Sequence, residues 1–234
     1  MALDIARGAA VTLMVMQHLA LDLYWILGVR MYYDLIDIWF VIGRTAAITF
    51  FIVFGISAVL AKQKYQERFT RISLRRGLLL LLLGGLFFLI TAQLNQINTI
   101  YFGVLSFLGV SALLLPLVVN RRESLLVLMV ASFMVGNWLY NIQSDSLLLF
   151  PLGTYTLDVS TADWYPLLPW FGFIVLGVFV GHHLPQLPWL TRFRSNNTIL
   201  TALEDIGKHA LLIYVLHQPL IWGALLLYSR IRYG

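Results

Sequence analysis

The chain has no cysteine, which removes disulfides, thiolate metal sites and cysteine nucleophiles from the chemistry open to it. Charge is scarce as well. Only 12% of the 234 residues are charged, against roughly 25% in a soluble domain, so an ordinary water-facing surface is excluded. No nucleic-acid motif accompanies the net charge of +5 and the pI near 9.6, and no internal repeat or low-complexity linker divides the chain. One domain over 1–234 is therefore the economical reading. What the chain does have is apolar residues: they make up 60% of it, and the mean hydropathy is +0.82. That composition predicts an all-α integral membrane protein, whose building unit is a helix of about 20 residues crossing a hydrocarbon core roughly 30 Å thick.

Apolar runs predict seven spans, near 9–28, 39–61, 77–92, 101–119, 124–140, 166–183 and 209–228. The first run is long, carries His18 and Asp22 in its interior and ends at no small-residue cleavage site, so it reads as a retained helix and not a secretory signal. Between Lys62 and Arg76 lie six cations and one acid, Glu67, and Arg121 and Arg122 sit in a loop of the same parity. Both loops should face the cytoplasm, which puts the N-terminus inside. The opposite loop, from Asn141 to Tyr165, carries Asp145, Asp158 and Asp163 and no cation. Arg230 and Arg232 run against this scheme, because a seventh span would end outside. Tyr32, Tyr33, Trp39, Trp164, Tyr165 and Trp170 fit an interfacial aromatic belt.

Ionisable groups inside the spans are the informative exceptions, since each costs roughly 2.5–3.5 kcal/mol at the bilayer centre unless it faces protein or water. His18 lies eleven positions after Arg7, about 16 Å along a helix, which places it near mid-bilayer. Asp22 stands one turn further, and Arg44 on span two and His217 on span seven fall in the same depth band. Pro219, just beyond His217, removes a helical hydrogen bond. A histidine with a carboxylate at i+4 suits general-base or nucleophilic chemistry, with Arg44 free to pair Asp22 or hold an oxyanion. The competing reading is a structural polar network joining three helices. A paired-histidine haem built on His182, His183 and His209 is a further option, weakened because neighbouring His182 and His183 point about 100° apart.

The cations have two readings as well. Positive-inside bias explains them, yet Arg68, Arg71 and Arg75 recur at i, i+3 and i+7 and would form one helical stripe with Arg76 beside it. Such a stripe suits phosphates of a cofactor or anionic lipid headgroups.

Several segments, in order, resemble the bacterial proteins grouped with the heparan-alpha-glucosaminide N-acetyltransferase catalytic domain. They are Leu3-Asp4-Ile5-Ala6-Arg7-Gly8 running on to Gln17-His18, Arg44 ahead of Phe50-Phe51 and Gly55-Ile56-Ser57, and Phe102-Gly103-Val104-Leu105 with Gly109-Val110-Ser111. Pro166-Leu167-Leu168-Pro169-Trp170-Phe171-Gly172 and Gly207-Lys208-His209 leading to His217-Gln218-Pro219 complete the series. Arg7 and His18 also resemble the arginine-to-histidine motif of the wider transmembrane acyltransferase superfamily, and Arg68-Phe69-Thr70-Arg71 its paired-arginine motif. Ser106 departs from the pattern, standing where many relatives have histidine.

The resemblance implies an enzyme moving an acetyl or other acyl group from cytosolic acyl-coenzyme A, with no metal, to a sugar or glycolipid acceptor at or beyond a bacterial or archaeal cytoplasmic membrane. It implies His18 as base or acyl carrier, Asp22 as its orienter, and Arg44 and His217 as polarising groups. Arg7, Arg68, Arg71, Arg75, Arg76 and Lys208 would hold the cofactor, and Asp163, Trp164 and Trp170 the acceptor. Membrane lipids and a second copy of the chain are the further partners it implies. A different class remains open on the residues alone: a proton-coupled transporter or channel using the same midplane cluster.

Overall fold

Long apolar runs leave the backbone no hydrogen-bond partner in lipid except itself, so they fold as helices. In a computed structural model describing residues 2–94, 99–144, 146–155, 161, 163–183 and 197–233, each of the seven predicted runs is helical. Nine helices occur among the described residues: α1 (Ala2–Leu27), α2 (Met31–Asp34), α3 (Ile36–Tyr65), α4 (Phe69–Leu94), α5 (Val104–Val118), α6 (Leu125–Tyr140), α7 (Leu167–His183), α8 (Thr198–Lys208) and α9 (Ala210–Tyr233). Asp145 and Asp158 of the predicted outer loop lie outside the described residues.

Four helical stretches are long and apolar enough to cross a membrane: Ala2–Leu27, Ile36–Gln93, Arg122–Tyr140 and Ala210–Arg232. The second contains both α3 and α4, while α5 and α7 are apolar but shorter. The architecture is an all-α membrane bundle. Two differences from the sequence reading stand out. Lys62 to Arg76 is not a loop: α3 runs to Tyr65, a 3-10 turn occupies Gln66–Arg68 with Gln66 at φ 47°, and α4 begins at Phe69. And α8 was not foreseen. Its Asn197 cap accepts hydrogen bonds from the amides of Ile199 (2.8 Å) and Leu200 (3.4 Å), the usual way to satisfy a first turn. Eleven residues make about 16 Å of helix, too short for a span.

The chain divides into two compact units, residues 1–53 with 184–234, and residues 54–183. In the first, α1 ends at Gly28, whose φ of 70° suits a residue without a Cβ, and α8 lies antiparallel against the start of α1. The approach is at backbone distance. A Cβ on Gly8 would overlap the Leu203 carbonyl, and a Cβ on Gly207 would overlap that of Asp4. Small residues at such crossings let van der Waals packing replace the missing hydrophobic drive in lipid. Arg7 joins the same contact, pairing with Asp4 at 2.8 Å and reaching the Gly207 carbonyl at 3.5 Å. After the turn at His209, α9 runs parallel to α1.

In the second unit α4 and α5 pack antiparallel: Ser73 Oγ donates to the Ala112 carbonyl at 2.7 Å, and Gly84 faces Ser106. Helix α7 contributes much of its core: Ile174, Val175 and Val178 are fully buried, as are Val59 and Phe107. The cations at the end of α3, the start of α4 and the α5–α6 turn gather at one end of this unit. Asp163 and the aromatic cluster of Phe150, Trp164 and Trp170 occupy the other.

Candidate active site in the first unit

Because α1 and α9 run the same way, residues one turn apart on one helix meet residues one turn apart on the other. The Trp222 indole Nε1 donates to Asp22 Oδ1 at 2.9 Å, and the Gln218 side-chain amide lies 3.3 Å from His18 Nδ1. The rings of His18 and His217 sit with centroids 5.1 Å apart at 54°. Asp22 is only 3% exposed and His217 8%. The sequence reading thus brings His18, Asp22 and His217 into one cluster, though Asp22 takes Trp222 as its partner and neither His18 nor Arg44. The Arg44 guanidinium lies over the Phe40 ring, 4.9 Å from its centroid.

Hydrogen-bond chemistry fixes one tautomer. His217 Nδ1 is 2.7 Å from the Tyr214 carbonyl oxygen, which can only accept, so Nδ1 carries the proton and Nε2 presents a lone pair. That Nε2 is buried without a partner, as are Asp22 Oδ2 and Gln218 Oε1. Three orphaned polar atoms in one small cluster are unusual, because native interiors leave few such atoms unsatisfied. An acceptor nitrogen held in place from behind, with open valences around it, can receive a proton from a bound hydroxyl or amine.

Sequence reasoning missed Gln218 and Trp222. A signal existed: their spacing of four matches that of His18 and Asp22, but only the helix register shows that the two pairs face each other.

The other predicted residues have local partners. Lys208 pairs with Asp205 at 3.0 Å and Glu204 at 3.1 Å; its hydrogen bonds to Asp205 and then Glu204 raise its pKa above the usual lysine value. Arg68, at the end of the 3-10 turn, and Arg71, Arg75 and Arg76, on the opening turns of α4, are all exposed. Asp163 Oδ2 accepts the Val104 amide at 2.9 Å, so it caps α5 and complements the positive end of its dipole. Trp164 stacks on Phe150 at 4.9 Å and donates toward the Phe150 carbonyl at 3.4 Å. Trp170 packs edge-on against Tyr165 at 4.9 Å and is largely buried. His182, His183 and His209 each meet a backbone carbonyl, of Val119, Phe179 and Asp205, and among the described residues no group of three metal-binding side chains occurs.

No curated protein and no solved structure matches the chain. A family model does, over residues 1–219, a stretch that includes His18, Asp22, Arg44, His217 and Gln218. With that match covering most of its length, the chain belongs to the family of the heparan-alpha-glucosaminide N-acetyltransferase catalytic domain.

Proposed function

We propose that the protein transfers an acetyl group from acetyl-coenzyme A, entering from the cytoplasm, to the amine or hydroxyl of a sugar or glycolipid acceptor on the far side of the membrane. The observation that carries this reading is the unpartnered, buried Nε2 of His217 beside the His18 ring. In the proposed step His217 Nε2 takes the acceptor's proton as its nitrogen or oxygen attacks the thioester carbonyl. The C–S bond breaks, a C–N or C–O bond forms, and the coenzyme A thiolate leaves and is protonated. The Tyr214 carbonyl steadies the imidazolium through Nδ1–H. His18, contacted by Gln218, stands near enough to orient the donor or carry the acyl group in transit, and Asp22, held by the Trp222 indole, anchors α1 to α9 beside it. Arg44 is assigned to the developing oxyanion. Donor contacts are assigned by the family resemblance to Arg7 and Lys208 of the first unit and to Arg68, Arg71, Arg75 and Arg76 of the second, and acceptor contacts to Asp163, Trp164 and Trp170 of the second.

The test is transfer from acetyl-coenzyme A to hexosamine acceptors by protein reconstituted in liposomes, together with calorimetric binding of the donor. A positioned base contributes typically 10²–10⁴-fold, so His217→Ala and His18→Ala, each checked for folding, should lower turnover by at least about a hundredfold. Normal turnover in folded variants would overturn the base assignment. Absence of donor binding by folded wild-type protein would turn attention to solute or proton flux.

A further inference from the structure

The second unit contains a cavity of about 460 Å³ at its cationic end, remote in sequence from the histidine cluster and bounded by residues from three places in the chain. Lys62 and Glu67 come from the end of α3 and the turn after it, Asn120 and Arg122 from the α5–α6 connection, and His182 from the last turn of α7. The volume falls within the range of small-ligand sites, roughly 300–1,000 Å³. Its lining is unusual for the end of an apolar bundle. Neither Lys62 nor Arg122 has an ion-pair partner among the described residues, although Glu67 lines the same space. Among the described residues Lys62 Nζ donates to the Gln66 carbonyl, at 3.2 Å. His182 gives its Nε2 proton to the Val119 carbonyl at 2.7 Å, and its Nδ1 is buried without a partner.

Two unneutralised cations brought by separate elements to one concavity, with an amide and an imidazole nitrogen beside them, match an anion of several oxygens that also offers a hydrogen-bond donor. A single carboxylate ligand would leave much of the volume empty. We propose that this cavity is a binding site for a phosphate-bearing ligand, in which Lys62 and Arg122 take the phosphate oxygens, Asn120 hydrogen-bonds the remainder, and Glu67 limits the affinity so that the ligand can leave. The phosphates belong either to a soluble nucleotide-like molecule or to an anionic lipid headgroup. Only in the first case does the inference rest on the acyl-transfer reading, for the ligand is then the donor.

The experiment uses full-length protein in nanodiscs. Calorimetry with pyrophosphate and with acetyl-coenzyme A in zwitterionic lipid reads the soluble source, and native mass spectrometry of phosphatidylglycerol retained after detergent exchange reads the lipid source. A double variant, Lys62→Ala with Arg122→Ala, should weaken whichever ligand binds by about tenfold or more, as loss of two charge-assisted contacts implies. Glu67→Gln should tighten it about threefold by removing a like charge. Unaltered affinity in the Lys62/Arg122 variant, or weaker anion binding in Glu67→Gln, would overturn the proposal. Acetyl-coenzyme A that binds the Lys62/Arg122 variant as tightly as wild type removes this site while sparing the donor reading. Pyrophosphate binding that depends on Lys62 and Arg122, with no acetyl-coenzyme A binding, does the reverse.

Discussion

Asp22 shows how a single buried carboxylate can be both legible and misread. Its place one turn after His18 is plain in the sequence, and from that spacing alone His18 is its natural partner. The structure gives it Trp222 instead, because side chains on a parallel neighbour at the same height are nearer than the ring one turn below. Trp222→Phe should therefore leave both carboxylate oxygens buried and unpaired, at a cost of about 1–3 kcal/mol, read as a lower melting temperature in detergent. Asp22→Leu in that background should cost less than the two changes summed. Additive losses would show that the indole–carboxylate bond carries no coupling. The same cross-helix logic explains why Gln218 stood out only as part of a resembling segment: nothing within α9 shows that it faces His18.

Among the elements, hydropathy located every long apolar helix and failed only where the helix is not apolar. Helix α8 presents Glu204, Asp205 and Lys208 on one side and Leu203 and Gly207 toward α1, so a scan for apolar runs passes over it. The ends were misjudged for a related reason. Charged turns such as Thr70 to Arg76 stay helical because the backbone pattern outlasts the apolar one. The α1–α8 crossing depends on two glycines, and its sensitivity can be measured against a control on α4. Gly8→Ala should destabilise by about 1–3 kcal/mol through overpacking. Gly85→Ala, with nothing within 4 Å of its added carbon, should stabilise by about 0.5–1 kcal/mol because alanine is the better helix former. Thermal melts of both in one detergent give the comparison, and equal shifts would show that the crossing tolerates separation.

For the whole molecule the open matter is which face each end meets. The exposed leucines of α4 and α9, among them Leu82, Leu86, Leu220 and Leu227, suit lipid contact, and the positive-inside rule assigns the Lys62–Arg76 end to the cytoplasm. On the orientation proposed from the sequence, with the start of α1 inside, a parallel α9 would end with Arg230 and Arg232 outside, against that rule. The cysteine-free chain serves as its own background for single-cysteine labelling. Ser146→Cys and Ser229→Cys should react with an impermeant maleimide on intact cells, and Lys64→Cys only after lysis. Labelling of Ser229→Cys only after lysis would put the end of α9 inside and contradict this orientation. Charge alone could not settle it, because Arg230 and Arg232 weigh little against the eight cations of Lys62–Arg76 and Arg121–Arg122.

The parallel pairing of α1 and α9 also sets a timetable. Asp22 and Trp222 are separated by 200 residues, so at roughly 5–20 residues per second the first helix waits about 10–40 s at the ribosome before its partner exists. Throughout that interval His18 and Asp22 are in the membrane, or at its edge, with none of their final contacts. Helix α1 is thus completed only after every helix between it and α9 has been made, and an insertion chaperone that shelters polar helices would have a long engagement here.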